Sequence, residues 1–225
     1  MERITLIKEV LQELERQKVE YCILRNYDFL LEHRTILAVS ERSIDVVVSR
    51  RDFAAFEKIM DDFFFSKRKP QFSLVHHAYF RIEELNPISF DVQVGGVHWN
   101  DMCYLDEKEI LGNRLKRSFF YVSSDNDMFV MLLVHSILGK RYFKPEYEEI
   151  LRTLVHKIDR ESVLGQLTDI FNVQIALESI KLIEENAFDV IMEDKYTKIF
   201  FFLSRKGRWR TFLPLIFRWI RWKRF

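Results

Sequence analysis

The sequence is poor in the residues that break or cross-link a chain. It has 6 glycines and 4 prolines among 225 residues, which leaves little room for long linkers. Its 2 cysteines, Cys22 and Cys103, are far apart and belong to no Cys-x-x-Cys or His/Cys cluster. These scarcities argue against a collagen-like chain, a disulfide scaffold and a structural zinc site, and we expect a protein of the reducing cytoplasm.

Long apolar runs are also missing. The N-terminus is charged and amphipathic, so no secretory signal is expected there. The segment 199–220 is too interrupted to span a bilayer, because it contains Arg205, Lys206, Arg208, Arg210 and Arg218. Phenylalanine is abundant instead, with 21 copies in a chain that is 48% hydrophobic, and this predicts a globular fold with an aromatic core.

The net charge of +1 conceals an uneven distribution. Residues 205–225 carry 8 basic and no acidic side chains, which leaves 27 basic against 34 acidic residues in the rest. In this tail, Trp209, Phe212 and Phe217 share one helical face. Three roles for the tail follow from this pattern. We expect, in decreasing order, that it packs on the acidic body, that it contacts a membrane surface or a lipid-linked substrate, or that it follows a nucleic-acid backbone.

Hydrophobic periodicity divides the chain into an α/β region up to residue 122 and a helical region after it. Strands are predicted at 19–24, 44–48, 72–82, 88–94 and 118–122, with a turn at 84–87. Helices are predicted at 4–17, 52–65, 105–111, 126–139, 146–158, 160–171, 173–186, 190–203 and 211–222. The predicted class is α+β, with an α/β core at 1–122, a helical region at 123–204 and the tail at 205–225.

Two predicted strands each contain one aspartate among apolar residues. These are Ser43-Ile-Asp45-Val-Val-Val48 and Ser89-Phe-Asp91-Val-Gln-Val94. Unpaired carboxylates inside strands are costly, and two on neighbouring strands would call for a cation between them. The alternative is that each aspartate binds loop amides or an arginine at a strand end. His76 and His77 alternate faces of their strand, so at most one of them can face this site.

In order and spacing these elements resemble the nucleotidyltransferase fold of DNA polymerase β-like enzymes. Within that fold they resemble uncharacterised bacterial and archaeal proteins linked to surface-polysaccharide genes. Tyr21 to Tyr27 resembles the first strand and turn, Ser43 to Val48 the Asp-x-Asp strand, and Phe90-Asp91-Val92 the strand of the third carboxylate. The stretch from His135 to Arg141, with Tyr147, resembles the helical region of those proteins.

The resemblance implies Mg²⁺- or Mn²⁺-dependent transfer of a nucleotidyl group from an NTP to an acceptor that the sequence does not identify. It implies catalytic roles for Asp45 and Asp91, which would bind metal together with Ser43. The implied nucleotide-binding residues are Arg25, Asn26, Arg42, His135, Lys140 and Arg141.

The sequence departs from the family pattern in two places. Ser43 stands where the first carboxylate of Asp-x-Asp is expected, and Arg25-Asn26 replaces the usual glycine turn. The alternative reading is therefore a catalytically degenerate binding or scaffold protein, peripheral at the inner membrane face in surface glycan assembly. A third reading is a component of a toxin–antitoxin pair. We expect an enzyme in preference to either.

Overall fold

A computed structural model describes residues 3–25, 27–31, 43–68, 75–83, 86–99 and 102–191. These residues form two compact units. The first takes its described residues from 1–98 and 105–124, and the second from 99–104 and 125–225.

A seven-stranded mixed sheet is the centre of the first unit. Its strands are β1 (Tyr21–Arg25), β2 (Ile44–Val48), β3 (Ser66–Arg68), β4 (His76–Glu83), β5 (Asn86–Val94), β8 (Leu115–Arg117) and β9 (Phe120–Val122). They lie in the order β3-β4-β5-β2-β1-β9-β8. The β2–β5 and β1–β9 pairs are parallel and the other pairs are antiparallel. Strands β6 (Gly96–Trp99) and β7 (Met102–Asp106) form a separate two-stranded sheet.

One face of the large sheet forms the hydrophobic core of this unit. Helices α1 (Arg3–Arg16) and α3 (Phe53–Asp62) contact each other, and both contribute fully buried side chains to the core, for example Leu11 and Phe56. Alternate residues of β2 and β5, including Val46 and Phe90, belong to the same cluster. The aspartates lie between these apolar positions, so their side chains point to the other face of the sheet. Two short helices, α2 (Asp28–Leu31) and α4 (Glu107–Gly112), complete the unit.

Apart from the parts of β6 and β7 that fall within 99–104, the described elements of the second unit are helices. It contains α5 (Asp125–Val134), a π-helical segment (His135–Lys140), α6 (Pro145–Leu154), α7 (Arg160–Ile170) and α8 (Val173–Glu184). Every residue of α5 from Asp127 to Val134 is buried, which makes it the central helix. Asp159 and Asn172 begin α7 and α8 as side-chain caps that accept backbone N–H bonds. Among the described helices, none combines the length and the apolarity that crossing a membrane requires.

The predicted α+β class is confirmed, since every described strand ends by Val122 and the described elements after it are helices. Several predicted details were wrong. Strands β3, β6, β7 and β8 were not predicted, and the predicted turn at 84–87 overlaps β5, which begins at Asn86. Strands β3 and β8 are three-residue exposed edge strands without hydrophobic alternation, so only pairing with a neighbouring strand defines them. The predicted helix at 211–222 lies outside the described residues, as does most of the predicted helix at 190–203.

Candidate functional site

The two aspartates lie side by side on the polar face of the large sheet. In the parallel β2–β5 pair, Asp45 is the register partner of Asp91. Neighbouring strands lie about 4.8 Å apart, so the two side chains leave the same face at close range. Ser43 and Ser89 each lie two residues before an aspartate and therefore share its face. The expectation that the two aspartates are neighbours is met.

Asp45 is bound by an arginine from the adjacent strand. The Arg25 Nε–H donates a hydrogen bond to Asp45 Oδ2, and the side chains of Arg25 and Asp45 are only 16% and 12% exposed. Arg25 is the register partner of Asp45 in the antiparallel β1–β2 pair, and the register shifts between Ile23 and Arg25. A bulge of this kind re-aims a side chain at the end of a strand. The result is a nearly buried ion pair within the sheet.

Asp91 is bound by a histidine from its other neighbour. His76 Nε2 lies 2.8 Å from Asp91 Oδ1, and this bond raises the pKa of His76 above its ordinary value of 6.5 although partial burial lowers it. His77 points to the opposite face, where its ring stacks on Phe53 at 4.8 Å and burial lowers its pKa. The prediction that only one of the two histidines can face the aspartates is confirmed.

These contacts correct one step of the sequence argument. The cost of two unpaired carboxylates favoured a bound cation, but neither carboxylate is unpaired. Arg25 and His76 each supply a side-chain partner, as in the alternative reading that an arginine satisfies Asp45. The presence of aspartates in two strands is therefore not, by itself, evidence for a metal ion.

The donor set still suits a single magnesium ion. Mg²⁺ is commonly held by one or two carboxylates, with waters and substrate phosphates completing its octahedron. Asp45 and Asp91 could supply two such carboxylates, and the Ser43 hydroxyl a neutral oxygen. Within the residues that the structure describes, no group of three or more His, Cys, Asp or Glu side chains is placed to hold a metal.

An open pocket of about 530 Å³ adjoins Asp91 on the β3–β4–β5 side of the sheet. Its lining residues are Ser43, Arg68, Ala78, Tyr79, Phe80, Ser89, Phe90 and Asp91. Arg68 is the register partner of Ala78, which is the register partner of Asp91, so all three share the polar face. The sequence analysis missed Arg68 and Phe80 because their place in the pocket follows from the pairing of β3 with β4. The size is within the range of small-molecule sites.

The other predicted nucleotide-binding residues are distributed differently. His135, Lys140 and Arg141 belong to the second unit, whereas Arg25 and both aspartates belong to the first. The His135 ring makes an edge contact with Tyr147 at 6.1 Å, and Arg141 ends the π-helical segment with a left-handed φ of 65°. Lys140 and Arg141 are exposed. Their role in nucleotide binding stays a prediction.

Three predicted features lie outside the described residues. These are Asn26, Arg42 and the basic aromatic tail at 205–225.

Comparison with known proteins gives little further information. No protein-family model matches the chain, and no curated protein matches it. Among solved structures, the solution structure of the antibiotic-resistance factor ANT(2'')-Ia resembles the chain with a TM-score of 0.47 and 11% sequence identity. The match covers 81% of this chain and 96% of that chain. A likeness this distant carries no argument about function, which has to rest on the residues.

Proposed function

We propose that this protein is a nucleotidyltransferase that moves a nucleotidyl group from an NTP to an acceptor at the polar face of the large sheet. The observation that carries the proposal is the in-register placement of Asp45 beside Asp91 at the edge of an open pocket. The sequence resemblance described above independently assigns the same two aspartates to the metal and catalytic positions.

In this proposal Asp45 and Asp91 hold one Mg²⁺ or Mn²⁺, with Ser43 as a neutral ligand. When bound, the ion would neutralise phosphate charge and favour attack by the acceptor oxygen. The acceptor oxygen forms a bond to the α-phosphorus, the bond to the β-phosphate oxygen breaks, and pyrophosphate leaves. The acceptor proton passes to a carboxylate oxygen or to solvent. The protein contributes mainly position and charge, because this reaction needs no protein nucleophile.

The pocket offers suitable groups for the rest of the nucleotide. Arg68 is an exposed guanidinium, which matches phosphate oxygens in geometry and charge. The Phe80 ring is 38% exposed in the same pocket, and an aromatic face of this kind can stack on a nucleobase. Arg68 and Phe80 therefore extend the list of nucleotide-binding candidates within the first unit.

The experiment is a thermal-shift titration with each NTP, with and without Mg²⁺ or Mn²⁺. A ligand that binds only the folded state stabilises it and so raises the melting temperature. At a ligand concentration of 100 times the dissociation constant, the stabilisation is about 2.7 kcal/mol. We expect a metal-dependent shift in the wild type and its loss in Asp45→Asn and Asp91→Asn. Asp61→Asn is the matched control, since Asp61 is an exposed residue of α3 and should keep the full shift. No shift with any NTP would contradict the proposal.

A specific observation favours a second candidate, a catalytically degenerate nucleotide-binding or scaffold protein. Arg25 already neutralises Asp45, and Ser43 replaces the first expected carboxylate. A degenerate protein would bind NTP equally well without metal, would retain binding in Asp45→Asn and would release no pyrophosphate. A metal-dependent shift followed by transfer of label from an α-labelled NTP to an acceptor would exclude it.

A further inference from the structure

Arg25 and a divalent cation would compete for the charge of the same carboxylate. The Arg25 Nε–H donates a hydrogen bond to Asp45 Oδ2, and only 12% of the Asp45 side chain is exposed. A bound Mg²⁺ would lie about 2.0–2.1 Å from a carboxylate oxygen, which is close to the positive guanidinium on the same carboxylate. A guanidinium held on that carboxylate is therefore a direct electrostatic and steric competitor of the ion.

The ion pair also stabilises the site without metal. Asp45 and Asp91 are register partners, and their like charges would repel each other at this separation. Arg25 balances Asp45 and His76 contacts Asp91, so each carboxylate has its own partner. The two partners are held differently, because Arg25 is nearly buried whereas the His76 side chain is 43% exposed. Arg25 is thus the group whose displacement would control access to the buried carboxylate.

We propose that Arg25 is an intramolecular counter-ion that neutralises Asp45 in the metal-free protein and opposes binding of a divalent cation there until it is displaced. The inference rests on the proposed function and adds a regulatory contact to the same site. Free metal alone binds weakly, because the Arg25 guanidinium already neutralises the Asp45 charge and repels the cation. A triphosphate that arrives with the ion gives the displaced guanidinium a new anionic partner, so metal and nucleotide bind together more readily than metal alone.

The test measures Mn²⁺ binding to the full chain without nucleotide, by the electron paramagnetic resonance signal of the free ion. We expect Arg25→Gln to tighten Mn²⁺ binding at least tenfold relative to the wild type, which corresponds to about 1.4 kcal/mol. Arg51→Gln is the matched control, because Arg51 also pairs with carboxylates but is 74% exposed and does not contact Asp45. The double variant Arg25→Gln/Asp45→Asn should lose the gain.

A second measurement uses the wild type and does not depend on how well Arg25→Gln folds. The Arg25 Nε–H resonance, assigned by its absence from Arg25→Lys, reports directly on the bond to Asp45. Saturation with Mg²⁺ should move this resonance toward the position of a solvated guanidinium. In Asp91→Asn, which should no longer bind the ion, the resonance should not move.

The outcomes separate the two proposals. Mn²⁺ that binds the wild type and Arg25→Gln equally, or an unchanged Arg25 resonance at saturating Mg²⁺, would overturn the counter-ion role and leave the proposed function intact. Failure of every variant to bind Mn²⁺, with NTP or without it, would overturn the metal-dependent function and this inference together. Tighter binding in Arg25→Gln that survives Asp45→Asn would also overturn it, since the gain would then come from another site.

Discussion

Removing one member of the Arg25–Asp45 pair should have markedly unequal effects on stability. Arg25→Gln leaves a carboxylate that is 8% exposed next to Asp91. At about 5 Å and an effective dielectric constant near 20, two like charges repel by roughly 3 kcal/mol. Adding the lost charge-assisted hydrogen bond and allowing for the His76 contact with Asp91, we expect a cost of about 2–4 kcal/mol.

Asp45→Asn should cost less. The amide oxygen still accepts a hydrogen bond from Arg25, and the repulsion with Asp91 is removed, so we expect a cost of about 1–2 kcal/mol. The double variant should resemble Asp45→Asn alone, because no unpaired carboxylate remains at position 45. The coupling energy then equals the Arg25→Gln cost of about 2–4 kcal/mol, which is the quantity that a double-mutant cycle measures.

The assay has to report on the first unit alone, because a chain of two compact units need not unfold in a single step. Amide hydrogen exchange in β1, β2 and β5 meets this requirement, since these strands exchange only through large openings of the sheet. A difference of 2 kcal/mol appears there as an increase of about 30-fold in exchange rate. Arg51→Gln, which breaks exposed pairs, should change stability by less than about 0.5 kcal/mol.

Two results would contradict this prediction. The stability costs of Arg25→Gln and Asp45→Asn could add in the double variant, or Asp45→Asn could prove more destabilising than Arg25→Gln. Either result would mean that Asp45 does not depend on Arg25 for charge balance.

Three further predictions concern other parts of the chain. The bond to Asp91 raises the pKa of His76, so the stabilisation that this bond provides is complete below about pH 6.5 and is lost as the pH rises through the folded-state pKa. In chemical denaturation, the difference in stability between the wild type and His76→Gln should therefore be larger at pH 5.5 than at pH 8.5. An equal difference at the two pH values would contradict this prediction. Gly95→Ala should cost about 1–2 kcal/mol by hydrogen exchange in β5, because Gly95 has a φ of +75° and an added Cβ would lie 2.1 Å from Arg50 Nε. Leu132→Ala, at a fully buried position of α5, should destabilise the second unit by about 2–5 kcal/mol in hydrogen exchange of α5, and a loss below about 1 kcal/mol would contradict the central position of this helix.

The elements that carry the aspartates were predictable because their patterns are strong. The run Ile-Asp-Val-Val-Val is buried along its whole length, as expected for a strand between two others, and it forms β2 at the predicted residues. The period-two alternation of strands places Asp45 and Ser43 on one face without knowledge of the fold. The apolar spacing in α1 and α3 likewise predicted the helices that cover the opposite face of the sheet.

The partners of the aspartates were not predictable, because they depend on register. Arg25 faces Asp45 only because β1 shifts its pairing after Ile23, and a local sequence pattern does not specify such a shift. Arg68 reaches the pocket through a three-residue edge strand that has no apolar signal of its own. The π-helical segment His135–Lys140 was predicted as part of an ordinary helix at 126–139, because hydrophobic spacing in the sequence does not specify i→i+5 hydrogen bonds.

The two functional candidates share the aspartates and differ in what Arg25 does at Asp45. Two carboxylates on neighbouring strands with no partners would favour a bound cation, whereas Asp45 and Asp91 already have partners in Arg25 and His76. The pairing is compatible with a transferase whose metal site opens only when substrate arrives, and with a degenerate site in which Arg25 has permanently replaced the ion. These two possibilities also differ in the affinity of the site for divalent metal when Arg25 is removed. A site that still has the geometry of a metal centre should gain affinity in Arg25→Gln, and a site that has lost it should gain none.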